Sequence, residues 1–152
     1  MRLLFVCSGN LHRSVMAAAL MEAMLKQAGL PAQVNSAGTL GLVGHAAPEE
    51  VRRVCAEWGL DVSGHRSQGL SKALVERAQR VIVMEERHGD AVLRLSPDAE
   101  GRVVYLGDYM DPPGDVADPI GKPLEAFRGC RDGLLGALQR LLPELVKALG
   151  GR

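Results

Sequence analysis

The sequence predicts an α/β fold: one domain over residues 1–152, a four-stranded parallel sheet with helices on both faces. Three observations predict it. Strand-like and helix-like blocks alternate along the chain, the pattern of strands joined by helical crossovers. The first strand ends in a cysteine-containing loop that opens directly into a strongly helical stretch. At 152 residues the chain is long enough to bury one core without disulfide staples.

The elements follow in order. Met1-Arg2-Leu3-Leu4-Phe5-Val6 is an apolar first strand, and Cys7 to Ser14 is the loop after it. Val15 to Gln27 is rich in Ala, Met, Leu and Glu, all good helix formers. Gly29 closes that helix and Pro31 prevents its restart. Ala32 to Ala37 reads as the second strand, entering a Gly-rich loop from Gly38 to Ala47. Pro48-Glu49-Glu50 starts a helix, with acids in its first turn, that runs to about Trp58 and stops at Gly59. Ser71 caps a short helix through Ala78. Arg80 to Met84 is a buried-type strand, followed by a helix from Glu85 to about Leu95 and a fourth strand from Arg102 to Leu106. The turn-rich segment from Gly107 to Pro123 carries four prolines and four aspartates. A long amphipathic helix, Leu124 to Leu149, closes the chain, with Pro143 expected to kink it.

Composition narrows the partners. With 18 basic and 18 acidic residues the formal net charge is zero, which argues against nucleic acid or an anionic membrane. No stretch approaches the about 20 apolar residues that span a bilayer, and the opening apolar run is too short for a signal peptide. The cysteines, Cys7, Cys55 and Cys130, are odd in number and form no C-x-x-C pair. That fits a reducing compartment, and the expected location is the cytoplasm.

The chemistry concentrates at the first loop. Cys7 and Arg13 stand five residues apart across Ser8, Gly9, Asn10, Leu11 and His12, with Ser14 in the first helical turn. A loop that opens a helix offers free backbone N–H groups and a positive dipole end to a phosphate-like dianion, and Arg13 can grip two of its oxygens. The same surroundings favour a thiolate beneath the anion. Gly9 and Asn10 tolerate the left-handed backbone such a loop needs. In parallel sheets ligands bind at the carboxyl ends of strands, and Cys7 lies at one. A leaving group also needs a proton, and Asp108, Asp111, Asp115 and Asp118 are the candidates. Asp118 is favoured because Pro119-Ile120-Gly121 follows it and leads into the last helix. Aspartates in such segments also commonly cap turns.

Cys7-x5-Arg13-Ser14, then Ser36-Ala37-Gly38-Thr39, then Asp118-Pro119-x-Gly121 resemble, in this order, the low-molecular-weight protein-tyrosine phosphatases. The resemblance covers essentially the whole chain. It implies a metal-free and cofactor-free enzyme in which Cys7 forms a cysteinyl-phosphate and Arg13 stabilises the transition state. By the same resemblance Asp118 protonates the leaving group and then activates water, and Ser14 hydrogen-bonds the sulfur. Asn10, with Ser36, holds the loop's shape, and His65 buttresses it. Ser8, Gly9, Asn10, Leu11, His12 and Ser14 are the expected phosphate-binding positions.

The chain departs from the family at three places. His12 stands where a second cysteine is usual, so no protective disulfide can form within the loop. If charged, His12 would add to the positive field. Val15 replaces a proline, and Ile120 replaces an aromatic residue beside the acid. Leu40, Leu42 and Val43 could wall the cleft instead, or simply pack their loop against the body. Phosphotyrosine on proteins or peptides is the first expected substrate. Phosphoarginine is the second, because Gly114-Asp115-Val116-x-Asp118-Pro119-x-Gly121 is reminiscent of the arginine-phosphatase branch, although Leu11 replaces that branch's threonine. Arsenate reduction and a catalytically impaired phosphate-binding module are further alternatives. Phosphate and other oxyanions are expected ligands, and the oligomeric state is expected to be monomer or weak dimer.

Overall fold

The computed structural model describes residues 1–150. The last two positions of the expected 1–152 domain lie outside the described residues. The elements are β1 (Arg2–Cys7), α1 (Arg13–Gln27), β2 (Gln33–Gly38), α2 (Glu49–Ala56), α3 (Lys72–Arg77), β3 (Arg80–Val83), α4 (Glu86–Leu95), β4 (Val103–Tyr105) and α5 (Leu124–Leu149). They match the expected order, with ends moved by a residue or two. Two 3-10 turns, Pro97–Arg102 and Leu106–Tyr109, flank β4 and had no signal in the periodicity. Ser71 caps α3 as expected, its hydroxyl accepting from Leu74 N–H at 3.2 Å. Gly29 adopts φ +72° after α1, the left-handed conformation that ends a helix. α5 continues through Pro143 as one unbroken helix.

The sheet is entirely parallel, in the order β2-β1-β3-β4. The chain leaves β1 toward β2 on one side and then crosses back to β3 on the other. The carboxyl end of β1 is therefore a topological switch point, where an open α/β sheet leaves a crevice. Alternation along β1 sends Leu3, Phe5 and Cys7 into the core beneath α1, α2 and α5. Leu4 and Val6 face the opposite way and pack with Val75 of α3 and Val92 of α4. Both faces are covered, which is why β1 reads as a continuous apolar run rather than an alternating one. Each such fully buried aliphatic or aromatic side chain stabilises the fold by roughly 1.5–3 kcal/mol. No helix among the described residues is long and apolar enough to cross a membrane.

Candidate active site

The loop between β1 and α1 is shaped by Asn10. This residue is fully buried at φ +56°, the only non-glycine residue with positive φ among the described residues. Its side-chain Oδ1 accepts from Gln68 N–H at 3.0 Å, which fixes the orientation of the amide. Its Nδ2 then donates to Ser14 Oγ at 2.9 Å and to Ser36 Oγ at 2.8 Å. His65 Nε2–H donates to the Asn10 carbonyl at 2.8 Å. Ser36 and His65 thus both hydrogen-bond Asn10. The close packing of the loop against β2 requires Gly38. A Cβ there would lie 2.6 Å from Ser8 O and 2.8 Å from Asn10 N.

Cys7 lies at the base of this cradle, 2% exposed. Asn10 N–H points at its sulfur from 3.3 Å, and Ser14 Oγ is 3.0 Å away. Because Ser14 Oγ accepts from Asn10, its own proton can turn to the sulfur when Cys7 is ionised. Arg13, 1% exposed, is clamped on one edge. Its Nη1 donates to Glu85 Oε2 at 2.5 Å and to Val116 O at 2.7 Å. Its Nη2 lies 3.4 Å from Ser8 Oγ and 3.6 Å from Asp118 Oδ2. One edge of the guanidinium is therefore spent on position, and the other faces the loop.

The start of α4, just after β3, contributes residues that the sequence reading missed: Glu85, Arg87 and His88. Burial alone would raise the Glu85 carboxyl, but hydrogen bonds from Arg87 and Arg13 outweigh it and hold it down at about 2. Arg87 also reaches Ser8 Oγ at 3.1 Å. His88 accepts from Glu85 N–H at Nδ1, 3.1 Å, so its proton sits on Nε2 and is donated to Ser8 Oγ at 2.9 Å. The available signal was positional. Glu85 follows β3 almost at once, and the carboxyl ends of parallel strands are where sites form.

Burial pushes His88 down to about 4, outweighing the attraction of Glu85. Unfolded, the ring titrates near 6.5, so between these values the unfolded chain binds a proton that the folded chain does not. Stability is then complete above pH 6.5 and falls as the pH drops toward 4. His88→Gln is expected to flatten this part of the profile. Thermal melts of both proteins at a series of pH values check it, and equal slopes would refute it.

Of the four aspartates, Asp118 meets the loop. Its Oδ1 accepts from Ile120 N–H at 3.1 Å and lies 3.4 Å from His12 Nδ1. Asp115 is engaged elsewhere, accepting from Tyr105 Oη–H at 2.5 Å and from Glu86 N–H at 3.2 Å. Asp108 and Asp111 have no recorded bond to the loop. His12 is mostly buried, its ring edge-on to Phe127 at 5.6 Å between centroids. Burial lowers its pKa, outweighing the attraction of Asp118, which counts against a charged ring at this position. Leu11 packs over Gly9 together with Leu42. Leu40, Val43 and Ile120 are exposed, at 67%, 74% and 63%. This corrects the reading in which Leu40 and Val43 are buried against the body. Cys55 and Cys130 are pushed up by burial to about 11 and about 12, so neither is a ready thiolate. A cavity of about 590 Å³ lies at the opposite, amino-terminal end of the strands, bounded by Arg2, Asn35 and Leu74, away from all of this chemistry.

A parallel sheet with a Cys-x5-Arg loop at its switch point, facing an aspartate from a distant loop, defines the class of cysteine-dependent phosphatases. Residues 2–150 match the family model described as low molecular weight phosphotyrosine protein phosphatase. The chain is 38% identical over 146 residues to a protein-arginine-phosphatase of Geobacillus stearothermophilus, covering 95% of each. It is similar to the tyrosine phosphatase Wzb of Escherichia coli K30 solved in complex with sulphate, with a TM-score of 0.85, 31% identity and coverage of 95% of this chain and 97% of that one. It is also similar to an arginine phosphatase solved as a Cys-to-Ser mutant with a phosphorylated active-site serine, with a TM-score of 0.89, 30% identity and 97% coverage of both. The chain belongs to the low-molecular-weight protein-tyrosine phosphatase family and is a phosphatase by that membership.

Proposed function

We propose that the protein hydrolyses phosphotyrosine on proteins in the cytoplasm through a cysteinyl-phosphate on Cys7, as a monomer or weak dimer. The observation that carries this is the convergence of Arg13 and Asp118, 3.6 Å apart, over the loop that begins at buried Cys7. Backbone N–H groups of the loop and the free edge of Arg13 bind the phosphoryl oxygens and stabilise charge in the transition state. The Cys7 sulfur attacks phosphorus, the ester P–O bond breaks, and Asp118 delivers its proton to the departing oxygen. Asp118 then takes a proton from water as that water attacks phosphorus and the S–P bond breaks. The Ser14 hydroxyl supports the sulfur as it leaves with the electron pair. Asn10, Ser36 and His65 hold the loop rigid for both steps.

The substrate side chain follows from the rim. An aromatic ring wants apolar walls: Leu11 and Leu42 pack on Gly9 of the loop, Leu40 is tied through its N–H to Ser8 O, and Ile120 is tied through its N–H to Asp118. A guanidinium wants free carboxylates, but Glu85 is committed to Arg13 and Arg87, and Asp115 to Tyr105. Phosphoarginine is the second reading, favoured by the Geobacillus stearothermophilus relative. The test is a panel of phosphotyrosine peptide, phosphoarginine peptide and arsenate with a thiol reductant. At least about tenfold higher kcat/KM on phosphotyrosine is expected, roughly what one hydrophobic pocket contact discriminates. The reverse order would overturn the assignment of the side chain without touching the chemistry.

The departure at His12 has a redox consequence. Oxidised Cys7 needs a nearby thiol to return through a disulfide, and Cys55 and Cys130 hold their protons tightly. After peroxide, dithiothreitol is expected to restore less activity to the wild type than to His12→Cys. Full recovery of the wild type would sink this expectation.

A further inference from the structure

The mechanism asks Asp118 to carry a proton while it faces a guanidinium, and the structure places a second titratable group against it. His12 Nδ1 lies 3.4 Å from Asp118 Oδ1, on the side away from Arg13, which approaches Oδ2. The imidazole is fixed there: its side chain is 12% exposed and Phe127 meets it edge-on. Although His12 is the N-cap of α1, its side chain makes no capping hydrogen bond, so Nδ1 is free for the carboxyl group.

We propose that His12 and Asp118 share a single proton, and that His12 is the positioning residue that keeps this proton available to the acid beside Arg13. The inference rests on Asp118 being the acid of the proposed mechanism. With one proton, the pair is either neutral imidazole with carboxylic acid or imidazolium with carboxylate. Burial of His12 disfavours the charged ring, and the acid step draws on the form in which the carboxyl group holds the proton. When Cys7 Sγ bonds phosphorus and the ester P–O bond breaks, Asp118 gives that proton to the leaving oxygen and the pair becomes an anion. When water attacks and the S–P bond breaks, Asp118 takes the water's proton, and the pair again holds one. Besides Asp118, the charged groups acting on His12 are Arg13 and, from α2, Glu50. Arg87 of α4 and Cys130 of α5 lie within electrostatic reach of Asp118. The two groups therefore titrate as a unit, and a proton shared between two sites is lost less readily than a proton held by one.

The test compares wild type with His12→Gln, which can still hydrogen-bond but does not titrate. In kcat/KM profiles on phenyl phosphate, whose leaving group needs the acid, the alkaline limb of the variant is expected to move down by about one pH unit, a tenfold loss on that limb. On 4-nitrophenyl phosphate the loss is expected to be much smaller, and the inhibition constant of inorganic phosphate should stay within about threefold, because the loop N–H groups remain. A purely structural role would lower both substrates equally and leave the limb in place, and that result would overturn the proposal. NMR of the His12 ring reads the pair without turnover: the titration midpoint is expected to fall in Asp118→Asn, and an unchanged midpoint would overturn the proposal even if His12→Gln failed to fold. A wild type without phosphatase activity would instead overturn the functional reading and, with it, the role of the pair, whatever the NMR showed.

Discussion

Cys7→Ser is expected to lower turnover by about 10⁴-fold or more while inorganic phosphate still binds, because a serine oxygen is a far weaker nucleophile and a far poorer leaving group than a thiolate, and the rest of the site stays in place. A serine hydroxyl holds its proton far more tightly than a thiol, and no base adjoins position 7 to take it. Its contacts are Asn10 N–H and the Ser14 hydroxyl, which stabilise an anion already formed but cannot remove a proton from a hydroxyl. The phosphate cradle does not depend on the sulfur. Asn10 is tied to Ser14, Ser36, Gln68 and His65, and Arg13 to Glu85 and Val116. Those ties keep the loop N–H groups and the guanidinium in position when sulfur becomes oxygen. Single-turnover kinetics on a phosphotyrosine peptide measure the first effect, and phosphate titration by calorimetry the second. Turnover within tenfold of wild type would remove Cys7 from the nucleophile's role. Loss of phosphate binding in a folded variant would instead mean that the sulfur shapes the loop.

The parts of this site that were legible in the sequence are those carried by short stretches of chain. Cys7, Asn10, Arg13 and Ser14 share one loop, and a strand running into a helix announces what such a loop can bind. Asp118 could be singled out because Pro119, Ile120 and Gly121 join it directly to the last helix. Glu85 and His88 were not legible, because their importance depends on β3 lying beside β1. Nothing local in either strand states that adjacency, yet it carries Glu85 to Arg13 and His88 to Ser8. Gln68 was missed for the same reason. Its contribution is a backbone N–H, which every residue but proline has, so the residue type carried no signal. His12 was read as a missing cysteine and a possible positive charge. Its meeting with Asp118 and Phe127 appears only when the acid loop and α5 close over the start of α1.

Asp118→Ala is expected to cost about 10²–10⁴-fold in kcat/KM on phenyl phosphate, the range of a single general acid. On 4-nitrophenyl phosphate the cost is expected to be at least about tenfold smaller, since a stable leaving anion needs little help from a proton. The dependence on leaving group separates an acid from a binding residue. If Asp118 served mainly to orient Arg13, across 3.6 Å, its loss would weaken the grip on every phosphate ester alike. Arg13 has firmer anchors in Glu85 and Val116, at 2.5 and 2.7 Å, so its position should survive the loss of Asp118. Asp111→Ala is the matched control, an aspartate-proline pair in the same turn-rich segment with no recorded bond to the loop. Steady-state kinetics on the two esters decide among the readings. Equal losses on both would reduce Asp118 to an electrostatic support. A silent Asp118→Ala beside a crippled Asp111→Ala would move the acid to position 111, which would require the segment before α5 to rearrange when substrate binds.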